Sequence, residues 1–138
     1  MGPCVRQEGW ESRLNAVIHA SLAKRFKWGQ HDCSLLSLDV IDAMCNTEIA
    51  DEWRGKYSNK EEAYELLDSF GGYEDIYKSY GLEFVDLNYA MRGDICQINT
   101  DEAIGILLGD QIVSTGAFGI VSLGRDSMLH AWRVPCHK

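Results

Sequence analysis

Phe26-Lys27-Trp28-Gly29-Gln30-His31-Asp32-Cys33-Ser34-Leu35 is the stretch on which the fold turns. It closes one amphipathic segment and opens a more apolar one, with a cysteine at the junction. Trp28-Gly29 stops the first helix. Asp32 stands at the N-cap of the second, where a carboxylate accepts from backbone N–H groups that lack partners in the first turn. Behind it, Leu35, Leu36, Leu38, Val40, Ile41 and Met44 form a broad apolar face, so the pattern predicts a buried helix over residues 33–45. Cys33 is its first residue. A helix N-terminus carries partial positive charge and free donors. It can stabilise a thiolate and supply an oxyanion site, which is the chemistry of a cysteine nucleophile.

Upstream, Trp10, Leu14, Val17, Ile18, Leu22 and Phe26 recur at three- and four-residue spacing and predict a helix over residues 10–26. Downstream of a polar turn, a helix is expected over residues 60–70, capped by Ser58 or Asn59, with Glu61 and Glu62 complementing its dipole. Gly71-Gly72 ends it, and a short helix over 73–80 follows. The period then changes. Residues 83–87, 94–98, 103–108, 111–114, 119–123 and 130–134 are short apolar or β-branched runs separated by turn residues. Helices first and hairpin-linked strands second predict an α+β fold, with the helices packed on a C-terminal antiparallel sheet.

The 138 residues suit one domain, expected to span 1–138, since no repeat or Pro/Gly/Ser-rich linker divides them. With 46% hydrophobic and 25% charged residues, the chain has the composition of an ordinary globular protein. A net charge of −8 disfavours nucleic acid and anionic lipid as partners. Lys24, Arg25 and Lys27 form the densest basic cluster, read as a solvated helix end. No run approaches the roughly 20 apolar residues of a membrane-spanning helix, and no secretory signal is recognisable. The expectation is synthesis in a cytoplasm without export by the usual route.

Five cysteines, Cys4, Cys33, Cys45, Cys96 and Cys136, include no CxxC pair. That disfavours a zinc ribbon and a disulfide framework, and no metal or cofactor is expected. Cys45 and Cys96 lie in apolar patterns and read as small buried hydrophobes. A bond or shared metal between Cys4 and Cys136, near the two ends, has no support in the spacing.

The motif order resembles the NlpC/P60 superfamily of papain-like cysteine hydrolases. In that superfamily a Trp-Gly-x-x-x-Asp-Cys-Ser segment opens the catalytic helix, and this chain has Trp28-Gly29-Gln30-His31-Asp32-Cys33-Ser34 in that place, one residue shorter between Gly and Asp. Arg92-Gly93-Asp94-Ile95 and Ala103-Ile104-Gly105-Ile106-Leu107-Leu108-Gly109 match its Gly-Asp and His-x-Gly-hydrophobic strand pair. A branch encoded in tailed-phage and prophage tail modules is more similar still. Trp10, Arg13 and Leu14, then Tyr57, Gly71-Gly72, Gly119-Ile120-Val121 and Ala131-Trp132-Arg133-Val134 carry that likeness over almost the whole chain. The resemblance implies a papain-like domain, with Cys33 as nucleophile.

The superfamily's histidine position falls on Ala103, which cannot accept a proton. Of its neighbours, Glu102 on a strand would point to the opposite face, while Asp101 could share the face of Ala103 but is expected in the turn. His31 is the candidate base in the motif, weighed against an exposed loop side chain. His130 reads as a partly buried sheet histidine, His19 as structural, and His137 as part of the tail. Trp28 and Trp132 are the candidate binding aromatics, with core packing as their commoner fate. The resemblance then implies a structural or assembly component of a phage tail tip, catalytically impaired at Ala103. It would bind hub or baseplate-like proteins and enter the virion from the host cytoplasm. The alternative is an active cysteine peptidase or amidase that opens cell-wall peptides during genome entry through Cys33, with the base supplied by His31, by His130 or from a neighbouring chain.

Overall fold

The structure is a computed structural model and describes residues 4–98, 103–117 and 119–135. Helices α1 (Trp10–Ser21), α2 (Cys33–Cys45), α3 (Lys60–Ser69) and α4 (Tyr73–Ser79) precede six strands. The strands are β1 (Glu83–Val85), β2 (Ile95–Ile98), β3 (Ile104–Leu108), β4 (Gln111–Gly116), β5 (Gly119–Gly124) and β6 (Met128–Arg133). They form one sheet in the order β1-β6-β2-β3-β4-β5, with every neighbouring pair antiparallel. The fold is α+β. Among the described residues, no helix is long and apolar enough to cross a membrane.

Two covers bury the sheet. Alternate residues of a strand point to opposite faces. Ile95, Ile104, Ile106 and Val113 meet Leu35, Leu36, Ile41 and Met44 in the core under the helices. Their neighbours Cys96, Leu107 and Ile112 join Val85, Ala90, Met128 and Ala131 in a second cluster on the reverse face. The helix α2 packs on β3 and β4 and against α1. Burying a Leu, Ile or Met fully is worth ~1.5–3 kcal/mol, and several such residues of α2 have no exposed surface. This helix is therefore the element that the rest of the fold encloses, and its first residue is Cys33.

The first helix is shorter than its apolar spacing predicts. Leu22, Ala23 and Lys24 bond back by i→i−3 contacts to His19, Ala20 and Ser21, so the last turn tightens and the helix stops. Leu22 is exposed, while Phe26 turns to meet the Trp28 ring edge-on at 4.8 Å. A backbone bridge between Lys27 and His31 then folds residues 27–31 into a tight loop that delivers the chain to α2. The last strand also starts earlier than expected, because Met128 pairs with Ile98 across a register shift.

Asp94 anchors the far end of the sheet. It is fully buried, and accepts from the Arg6 guanidinium at 3.2 Å and from Arg133 Nε and Nη2 at 3.0 and 2.9 Å. The Met91 amide adds a fourth bond at 2.9 Å. Arg6 also donates to the Val134 carbonyl, so the N-terminal segment, the β2 entry and the end of β6 close on one carboxylate. Sequence inspection singled out the segments holding Asp94 and Arg133 but not their pairing.

Candidate functional site

The loop before α2 is built around Asp32, which is 1% exposed. One carboxylate oxygen accepts from the Leu35 amide at 2.9 Å and so caps the helix. The other accepts from the Gly29 amide at 2.9 Å and from the Tyr57 hydroxyl at 2.6 Å. The Gly29 carbonyl in turn accepts from the Gly55 amide. Gly29 has φ +77°, and a Cβ there would lie 1.8 Å from the Tyr57 carbonyl oxygen. Only glycine fits, because the backbone approach leaves no room for a side chain and the φ is left-handed. The Trp-Gly-x-x-Asp-Cys pattern thus has a local cause: glycine lets the 57 loop close and aspartate ties that loop to the helix.

Cys33 follows, and its thiol lines a cavity of about 240 Å³. Phe26, Trp28, Trp53, Tyr64 and Tyr73 supply aromatic wall, and Ala103, Ser114 and Thr115 supply the sheet side. Tyr73 exchanges a hydrogen bond with Ser34 at 3.1 Å and stacks on Tyr77, whose hydroxyl bonds to Ser37 at 2.8 Å. The Ser114 hydroxyl donates to the Ile104 carbonyl at 2.7 Å. The Thr115 hydroxyl oxygen is buried and has no hydrogen-bond partner among the described residues. The tyrosines at 73 and 77 escaped the sequence reading as site residues. Their four-residue spacing on one helix face was the available signal.

Electrostatically the cavity favours neutral groups. Burial pushes the Cys33 thiol above the ordinary thiol range and outweighs the opposing Ile104 and Ser34 hydrogen bonds, while nearby Asp32 pushes the same way. The hydroxyls of Tyr57 and Tyr73 are pushed up as well, again chiefly by burial. The helix-terminus effect expected at Cys33 is therefore overridden by desolvation.

The structure separates the candidate bases from this thiol. His31 lines a different cavity, with Lys24, Gln30, Asp39 and Arg54, and not the one beside Cys33. It is buried, not an exposed loop side chain, and both ring nitrogens lack partners among the described residues. Burial and then Lys24 lower its pKa, so the ring is neutral at pH 7. His130 is exposed on β6 and lies near the rings of Phe84 and Trp132, and His19 is exposed on α1. Trp28 lines the Cys33 cavity. Trp132 does not: it is buried in the core beside Tyr77 and borders another depression with His130. Asp101, Glu102, Cys136 and His137 lie outside the described residues.

The Cys4 thiol is pushed down and the Cys45 thiol up, each chiefly by the other. Cys4, Cys45 and Cys96 are all buried with free thiols. Among the described residues, no group of three or more His, Cys, Asp or Glu side chains could hold a metal ion.

Residues 5–134 match the family described as Domain of unknown function (DUF6950). The chain belongs to the DUF6950 family. The match runs from the N-terminal segment that carries Arg6 to the end of β6, so it takes in Asp32, Cys33, Ala103 and the Asp94 anchor together. No curated protein matches the chain. The DUF6950 domain seen here therefore joins a helix-start cysteine to an aromatic cavity with no described imidazole in its wall.

Proposed function

We propose that this DUF6950 chain is a structural or assembly component of a phage tail tip, with NlpC/P60-like papain-type architecture and a silent catalytic centre. The observation that carries the reading is the pairing at the cavity: Cys33 and Ala103 both line it, and no described lining residue is a histidine. A thiol held in its neutral form, with no base at hand, is a poor nucleophile. The papain-type architecture is supported by a cysteine at the first position of a buried helix that packs on an antiparallel sheet.

Surface features support a role in assembly. β1 is an edge strand, and Phe84 on it is 62% exposed. Leu87, Tyr89 and Met91, just beyond it, are exposed too. An edge with unpaired backbone groups and apolar side chains suits contacts with other tail-tip proteins. On this reading the chain is made in the host cytoplasm and incorporated into the tail.

The test is made on particles. Purified tails should contain the chain at a fixed copy number, measured by quantitative mass spectrometry. Particles carrying Cys33→Ser should assemble and infect like the parent. Absence from purified tails, or loss of genome entry caused by Cys33→Ser in fully assembled particles, overturns the reading. The second result would favour the peptidase or amidase alternative.

A further inference from the structure

We propose that the cavity beside Cys33 is a binding site for a small apolar monocarboxylate, taken ring or chain first with its carboxylate at Lys60. The proposal deepens the reading of this cavity as a non-catalytic site and rests on it. Three observations carry it.

Size comes first. The cavity has about 240 Å³, against the ~150 Å³ of an apolar cavity that holds a benzene ring. A fused bicyclic ring, or an aliphatic chain of similar bulk, is the matching occupant. The walls come second. They are aromatic on the helix side, and polar groups among them are neutral: the Cys33 thiol, and the Ser34 and Tyr73 hydroxyls bonded to each other.

Charge comes third. Lys60 is the only lining residue among those described that carries a formal charge at neutral pH, and it is exposed at the start of α3. Its ammonium sits 5.5 Å from the Tyr64 ring, which places the positive end beside the aromatic wall. On a chain of net charge −8, a lone cation at the mouth of an apolar cavity selects an anion. A second carboxylate would be forced against apolar wall, where an unpaired charge is costly. The preferred ligand therefore has one negative charge and an uncharged body.

Calorimetric titration with 2-naphthoate tests this, alongside 2-naphthylmethanol and naphthalene-2,6-dicarboxylate. Naphthoate should saturate at one site per chain. The neutral alcohol should bind about threefold more weakly, the scale of one exposed charge pair, and the dicarboxylate at least about tenfold more weakly. Lys60→Gln, a surface change, should erase the difference between acid and alcohol. Ala103→Leu should weaken naphthoate about tenfold or more by filling the cavity, and the circular-dichroism spectrum reports whether this variant folds. No saturable binding of naphthoate at millimolar concentration overturns the proposal. So does equal binding of the dicarboxylate, or an acid preference that survives Lys60→Gln. Cys33 alkylation is followed separately. A reactive thiolate overturns the silent-site reading and leaves naphthoate binding standing, whereas absent binding overturns the ligand proposal alone.

Discussion

Cys33 and Ala103 line the same cavity, one at the first turn of α2 and the other just ahead of β3. The α2–β3 packing brings them there. A histidine at 103 would put an imidazole into the lining of the cavity that Cys33 also lines. Ala103→His should therefore raise the Cys33 alkylation rate at pH 7 by at least ~10-fold, toward the range that general-base assistance supplies. The rate with iodoacetamide, measured against a Cys33→Ser blank, checks it. An unchanged rate would mean that position 103 does not reach the thiol.

Gly29 predicts a backbone effect that no side-chain contact describes. A Cβ there meets the Tyr57 carbonyl oxygen at 1.8 Å, in a left-handed conformation. Gly29→Ala should cost about 3 kcal/mol or more and lower the Tm by ~10 °C or more in a domain of this size. Thermal unfolding followed by circular dichroism measures this. A drop of only a degree or two would show that the 57 loop is free to move away.

Asp94 is the matching prediction for the sheet. Asp94→Ala leaves the buried Arg6 guanidinium without its carboxylate partner and strips two bonds from Arg133. Breaking a buried pair on one side costs ~3–5 kcal/mol, so the urea midpoint should fall steeply. A loss below about 1 kcal/mol would mean that the anchor contributes little beyond the packing around it.

The Cys96 thiol should make stability decline in alkali, and the sign follows from its shift. Burial pushes Cys96 up from 9.0 to about 12. A folded-state pKa above the unfolded value means that the unfolded chain releases the proton first as pH rises. The contribution is thus fully present below about pH 9 and is lost as pH climbs toward 12. Urea midpoints at pH 8 and pH 10.5 should differ in that direction, and Cys96→Val should reduce the difference. A midpoint that rises with pH in this window would contradict it.

Much of this was legible in the sequence, for physical reasons that differ by element. The bounds of α2 follow from Asp32 and the apolar run behind it, since cap and period are both local signals. The strands follow from short apolar runs broken by turn residues, and the antiparallel pairing from the shortness of most of the connections. The end of α1 was not legible, because Leu22 and Phe26 keep the helical period while the Lys27–His31 bridge bends the chain out of it. The same bridge forms the tight loop that holds His31, whose ring ends up in a cavity other than that of Cys33, although only one residue separates the two in sequence. Nor could Asp94 and Arg133 be paired from sequence alone. Their meeting depends on β6 entering between β1 and β2, a choice of topology that no local signal records.

The most direct test of the silent centre is the pH dependence of Cys33 alkylation, with Cys33→Ser as the blank. The thiol is held above its ordinary range by burial, so the rate should be slow at pH 7 and its midpoint should lie above that of free cysteine. A midpoint well below pH ~8.5, the free-cysteine reference, would mean an activated thiolate with a base nearby and would contradict the account.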